Sequence, residues 1–159
     1  MKILFLLLFL NVAFGEFLEV VAEKFTGDNL KGVSVIEGNV DIKKGEDRLR
    51  ADKVTIYTKE NKLQEVYAEG NVDFMITTPD SRKIKGKSKS LRYDALQTQY
   101  HLLGDVHAQE EGKENSLNGD EVIVNKETGY MNVVGNKNKP ARLIFNIDEV
   151  KKDGQGSTK

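Results

Sequence analysis

Four glycines recur at nearly even steps along this chain, each in the same local setting. They are Gly38 in "VIEGNVDI", Gly70 in "YAEGNVDF", Gly104 in "HLLGDVHA" and Gly135 in "NVVGNKNK". The steps between them are 32, 34 and 31 residues. Ahead of the last three glycines lie "RADKVTIYTKENKLQEV", "GKSKSLRYDALQTQYHL" and "NGDEVIVNKETGYMNV". Each reads as a polar lead-in, a short apolar strand, a polar turn and a second strand that runs into the glycine. A unit of this kind repeated along the chain restricts it to a repetitive, quasi-linear architecture.

The side-chain period within a unit is two. Ile36, Val40 and Ile42 share one face, opposite Glu37, Asn39 and Asp41. Val66, Ala68, Val72, Phe74 and Ile76 repeat the pattern, followed by Leu91 and Tyr93, by Leu102 and Val106, and by Val122 and Val124. Val54 and Ile56 form one face of their own strand, and Ala141, Leu143, Phe145 and Ile147 close the series. Such alternation predicts half-buried strands with one dry face. "KKGED", "KENK", "TPDS", "KETG" and "GNKNKP" carry turn residues between strands. A counting of parity puts each repeated glycine on the apolar face, where it marks a bend or a close approach. Stacked bent hairpins give an open, curved antiparallel sheet with its apolar side chains inside. The competing arrangement is a parallel β-helix, whose rungs are shorter and more uniform.

The opening "MKILFLLLFLNVAFG" stands apart from this pattern. Lys2, the apolar run from Ile3 and the small residues Ala13 and Gly15 form a signal-peptide pattern over residues 1–15, with cleavage expected before Glu16. The apolar run is too short to span a bilayer, which takes about 20 residues. Residues 16–148 then form one domain, and the polar "KKDGQGSTK" end, within 149–159, is expected to be disordered. Without Lys2 the chain holds 23 basic and 25 acidic residues, a balance that does not call for nucleic acid. There is no cysteine, hence no disulfide and no thiolate metal site.

The twice-written "EGNVD" raises the question of a metal loop or a carboxylate pair. Glu37, Asp41, Glu69 and Asp73 lie on the polar face of extended strands, interrupted by Val40 and Val72, and do not converge as a calcium loop requires. His101 and His107 share a parity but have no third ligand in view. No nucleophile motif and no glycine-rich phosphate loop is present, so no enzyme, metal or cofactor is expected. Lys83, Lys85, Lys87 and Lys89 line one strand face. They form either a solvated face that blunts a sheet edge or a patch receiving phosphate groups. The apolar stripe is either an ordinary core or a lipid-lined groove. Phe74, Tyr93 and Phe145 are its only bulky members, and an underfilled interior would accept acyl chains at about 0.8 kcal/mol per buried methylene.

The order "IEGNV", "RADKVTIY", "AEGNV", "LLGDV", "NGDEVIVN" resembles the LptA/OstA family of periplasmic lipopolysaccharide transport proteins over about residues 20–148. The resemblance implies an all-β, open twisted antiparallel jellyroll. It also implies a soluble periplasmic bridge that carries lipopolysaccharide with the lipid A acyl chains inside. Its partners would be an LptC-like inner-membrane protein, an LptD-like outer-membrane translocon and further copies of itself, stacked end to end. The inner, lipid-binding face would be Ile36, Val40, Ile42, Val54, Ile56, Val66, Val72, Phe74, Ile76, Leu91, Tyr93, Leu102, Val106, Val122 and Val124. The chain departs from the family pattern at Asp105, where the other units have Asn, and at Lys137, where a Val is expected and the sheet is expected to fray or end. An LptC-like adaptor and a secreted β-solenoid acting on polysaccharide are the other readings.

Overall fold

A computed structural model describes residues 18–78 and 80–148; the expectations for residues 1–15 and 149–159 lie outside these. The described residues form ten strands and no helix. They are β1 (Leu18–Val21), β2 (Lys24–Asp28), β3 (Val33–Lys44), β4 (Asp47–Lys59), β5 (Lys62–Thr77), β6 (Lys83–Asp94), β7 (Gln99–Glu110), β8 (Ser116–Asn125), β9 (Met131–Val134) and β10 (Arg142–Ile144). All belong to one sheet, every pairing is antiparallel, and β3 to β8 pair in sequence order, as tight hairpins dictate. β1 and β2 both pair with β3, and β9 and β10 both pair with β8. The two outermost strands are therefore each broken in the middle.

Each polar lead-in turns out to be strand. "RADK" lies inside β4, and "GKSKS" inside β6. One unit is thus two long strands, and each inner pair shifts register at one height: between Glu37 and Val40, Arg50 and Lys53, Glu69 and Val72, Lys87 and Ser90, and Leu103 and Val106. An extra residue on one strand of a pair bends and twists it. Repeated at one height across the sheet, these bulges fold it into two walls.

The burial shows that the walls face each other. Ile36, Val54 and Ala68 have no exposed surface. A single sheet with no helix over it can bury a face so completely only by folding onto itself. On the first wall, cross-strand registers line up Ile36, Val54, Ala68, Leu91, Leu102, Val122 and Val133. On the second they line up Val20, Ile42, Leu49, Phe74, Gly86, Ala108, Leu117 and Leu143. Each row is one layer of the interior. The fourth glycine fails to extend the pattern. β9 stops at Val134, and the chain leaves the sheet until Arg142, where pairing with β8 resumes. Lys137 lies in that excursion.

Candidate functional site

The interior between the walls is the site that the sequence pointed to. Of the fifteen expected inner-face residues, ten are buried: Ile36, Val40, Val54, Ile56, Val72, Phe74, Leu91, Leu102, Val106 and Val122. Ile42, Val66, Ile76, Tyr93 and Val124 are half-buried. Most of the buried set lies beside the bend, and the half-buried residues lie in layers nearer the wall tips, where Ile56 and Phe74 are the buried members. The interior is closed at the bend rather than underfilled, and its apolar surface is only partly covered towards the mouth.

Parity counting missed residues on both sides of the bend. Ala51 and Val54 are both buried although three apart, as are Ser88 and Leu91. At the bend the even-numbered strands place two consecutive residues outward, such as Asp52 and Lys53, so alternation counted from Val54 misses Ala51 and Leu49. Tyr100 is a different omission. It shares the parity of Leu102 and stands opposite Tyr93, with ring centroids 4.6 Å apart, so its signal was present. Burial pushes the Tyr100 hydroxyl up to about 12, because the phenolate would lose its hydration there. Burial also raises Tyr93. Phe145, expected inside, is exposed, as are Leu143 and Ile147, because nothing covers the last strand. Phe74 gains its place from a glycine across the strand pair. A Cβ on Gly86 would stand 2.2 Å from the Phe74 ring, so only a glycine lets the ring lie over the β6 backbone.

The repeated glycines need a second correction: they face outward, not into the apolar interior. Gly38, Gly70 and Gly104 have φ of 83°, 81° and 85°, and each is followed by a residue that is also left-handed: Asn39 at 47°, Asn71 at 49° and Asp105 at 45°. The left-handed backbone turns the glycine itself outward, while the apolar residues on either side, Ile36 and Val40, Ala68 and Val72, Leu102 and Val106, keep one parity. A Cβ on each glycine would strike an exposed side chain of the neighbouring segment: Glu23 between β1 and β2, Asp52 on β4 or Lys89 on β6. Asn and Asp tolerate the left-handed region better than other side chains, which accounts for the residue after each glycine.

The aspartates of "EGNVD" serve cross-strand pairs on the outer face. Asp41 receives a two-pronged contact from Arg48, at 2.9 and 2.6 Å. That hydrogen bond holds the Asp41 carboxyl below its ordinary range. Asp73 pairs with Arg50 at 3.3 Å. Among the described residues no group of three or more acids or histidines is placed to hold a metal ion. His101 contacts Glu121, and His107 contacts Asn118.

The lysines sit on β6 in the middle of the sheet, so they do not blunt an edge. Lys83 pairs with Glu46 at 3.2 Å, Lys85 with Glu111 at 3.5 Å and Lys89 with Asp105 at 3.7 Å. Lys87 makes no ion pair among the described residues and lines an outer hollow of about 670 Å³ with Arg50, Lys85 and His107, alongside Asp73 and Glu111.

The described residues thus form one bent antiparallel sheet with a dry seam between its walls and an unpaired edge at either end. Residues 19–130 match the family described as LptA/(LptD N-terminal domain) LPS transport protein, and the chain belongs to that family of lipopolysaccharide transport proteins. Among solved structures it is similar to LptH of Pseudomonas aeruginosa, described as the LptA-homologous periplasmic component of the lipopolysaccharide transport device. The identity is 18%, the TM-score is 0.69, and the match covers 83% of this chain and 96% of that one. That likeness is one of fold: an open antiparallel jellyroll. No curated protein matches the chain.

Proposed function

We propose that this lipopolysaccharide transport protein is a periplasmic bridge that holds the lipid A acyl chains between its two walls. The chains enter at the mouth, where Ile42, Leu49 and Ile76 on one wall and Val66, Tyr100 and Val124 on the other are half-buried. Each methylene that leaves water there contributes about 0.8 kcal/mol, so a few acyl chains offset the parting of the seam. The remaining inner-face residues become contacts only as the walls part. Of the lysines, Lys87 is the best placed to meet a phosphate, because its charge is not already neutralised.

The edges support end-to-end assembly. β1 and β2 run from the second wall to the first, and β9 and β10 run from the first to the second. A second copy placed edge to edge therefore continues the sheet antiparallel with its walls in phase. Val21 and Phe25 at one edge and Met131, Val134 and Ile144 at the other are exposed apolar residues that such a joint would cover. An LptC-like protein at one end and an LptD-like translocon at the other would extend the sheet by the same β-augmentation.

The observation that carries this reading is the self-folded sheet, dry at its seam and half-open at its mouth. The test is to recover the protein from the periplasm of lipopolysaccharide-producing cells and measure bound lipid A by mass spectrometry. Lipid A is expected on the unaltered chain and lost on Ile42→Asp, whose position is half-buried enough to keep the sheet. Lipid-free protein from such cells, or equal lipid on both, would count against the reading.

A further inference from the structure

The bend is built three times from the same parts. Asn39 donates its amide to the Glu23 carboxylate at 2.6 Å, and Asn71 donates to Asp52 at 2.9 Å. In the third copy the Lys89 ammonium faces the Asp105 carboxylate at 3.7 Å. In each case the partner comes from the neighbouring chain segment, the break between β1 and β2 for Glu23, β4 for Asp52 and β6 for Lys89, and lies across the bare glycine, filling the space a Cβ would occupy. The charges change together. Where the partner is an acid, the residue after the glycine is Asn, which can donate. Where the partner is Lys, that residue is Asp, which can only accept when ionised. Asp105, which departs from the repeat in sequence, conforms to it in chemistry. Lys139, from the excursion between β9 and β10, reaches the other Asp105 oxygen at 3.5 Å.

The fourth copy shows what happens without the pair. Asn136 follows Gly135, but its side-chain oxygen accepts from the backbone of Asn138 and Lys139 in its own turn, at 2.9 and 2.8 Å. There the strand leaves the sheet.

We infer that Asn39, Asn71 and Asp105, each tied to its partner across the glycine, are positioning residues that set the angle between the two walls and so the width of the interior. The pairs sit on the outer side of the bend, where they oppose its opening or collapse. The consequence for lipid capture rests on the interior-groove reading above. The consequence for wall spacing does not.

The charge pairing supplies the test. Asn71→Asp sets two carboxylates against each other, yet keeps a residue that tolerates the left-handed backbone. Adding Asp52→Lys recreates the third pair at the second site. Lys89→Glu sets an acid against Asp105, and adding Asp105→Asn recreates the first pair at the third site. The chain has no cysteine, so two introduced cysteines, at Leu96 and Glu114, place spin labels alone on an exposed turn of each wall. The expected result is a shift of the label distance in each single variant, with return to the starting distribution in each double variant. Circular dichroism is expected to show unchanged strand content throughout. Unchanged distances in the single variants would overturn the inference, as would folded double variants that fail to restore them. Single variants that unfold while both doubles refold would also overturn it, since the pairs would then maintain the fold rather than the angle. Lipid A retention, measured on the same proteins, is expected to fall in the singles and recover in the doubles. Distances that move with retention unchanged would leave the positioning role standing and remove the groove reading.

Discussion

Two glycines with nearly the same backbone separate conformation from crowding. Gly70 has φ of 81° and a Cβ there would meet the Asp52 carboxylate at 2.3 Å, whereas Gly112 has φ of 79° and open space around it. Gly112→Ala is expected to cost about 1–2 kcal/mol, the cost of left-handed backbone with a Cβ. Gly70→Ala is expected to cost more, roughly 2–4 kcal/mol, because Asp52 must also give up its contact with Asn71. Urea unfolding of the two variants checks the order, and equal costs would remove the crowding argument. Tyr100 gives a pH signature at the same scale. Its hydroxyl titrates near 12 when folded and near its ordinary value of about 10 when unfolded, so burial stabilises the fold fully below pH 10. That contribution is lost as pH rises through this window, on the order of 3 kcal/mol in all. Tyr100→Phe is expected to lack the loss, as alkaline unfolding curves would show.

At the scale of strands, Phe74 and Gly86 act together across β5 and β6. Phe74→Ala is expected to cost about 3–5 kcal/mol, since the bare Gly86 beneath offers nothing to fill the space. Gly86→Ala is expected to be destabilising as well, by displacing the ring rather than by straining the backbone. Thermal melts of both variants test the pairing. What could be read of these strands without the structure follows from where alternation survives. Val122 and Val124, and Val66 through Phe74, lie in stretches whose parity agrees with the fold, and their inward face was legible. Ala51 and Ser88 were not, because each is separated from the rest of its strand's buried face by the bend, where parity slips by one. The outward direction of Gly70 was hidden for another reason, since the parity of Ala68 and Val72 continues across it. "EGN" reads as ordinary strand until its left-handed φ values are known. Tyr100 was legible and overlooked, since it lies two residues before Leu102 in plain alternation. The ion pairs of Asp41 and Asp73 depend on register with Arg48 and Arg50, which a single sequence does not contain.

At the scale of the molecule, the exposed apolar residues of β9 and β10 and their open backbone make the sheet incomplete by itself. Replacing Leu143 and Ile144 by Lys is expected to leave a folded monomer under conditions where the unaltered chain forms end-to-end assemblies, as analytical ultracentrifugation would show. Retained lipid A on that monomer would separate carrying from assembling. The interior makes the sharper demand, because adjacent residues of one strand are assigned opposite environments. Phe74 is buried between the walls, and Asp73 next to it is exposed and paired with Arg50. A photo-crosslinking phenylalanine analogue at each position, irradiated in lipopolysaccharide-producing cells, compares the two faces directly. Capture of lipopolysaccharide at Phe74 with none at Asp73 is the expected result; equal capture at both, or capture at Asp73 alone, would contradict a lipid-carrying interior.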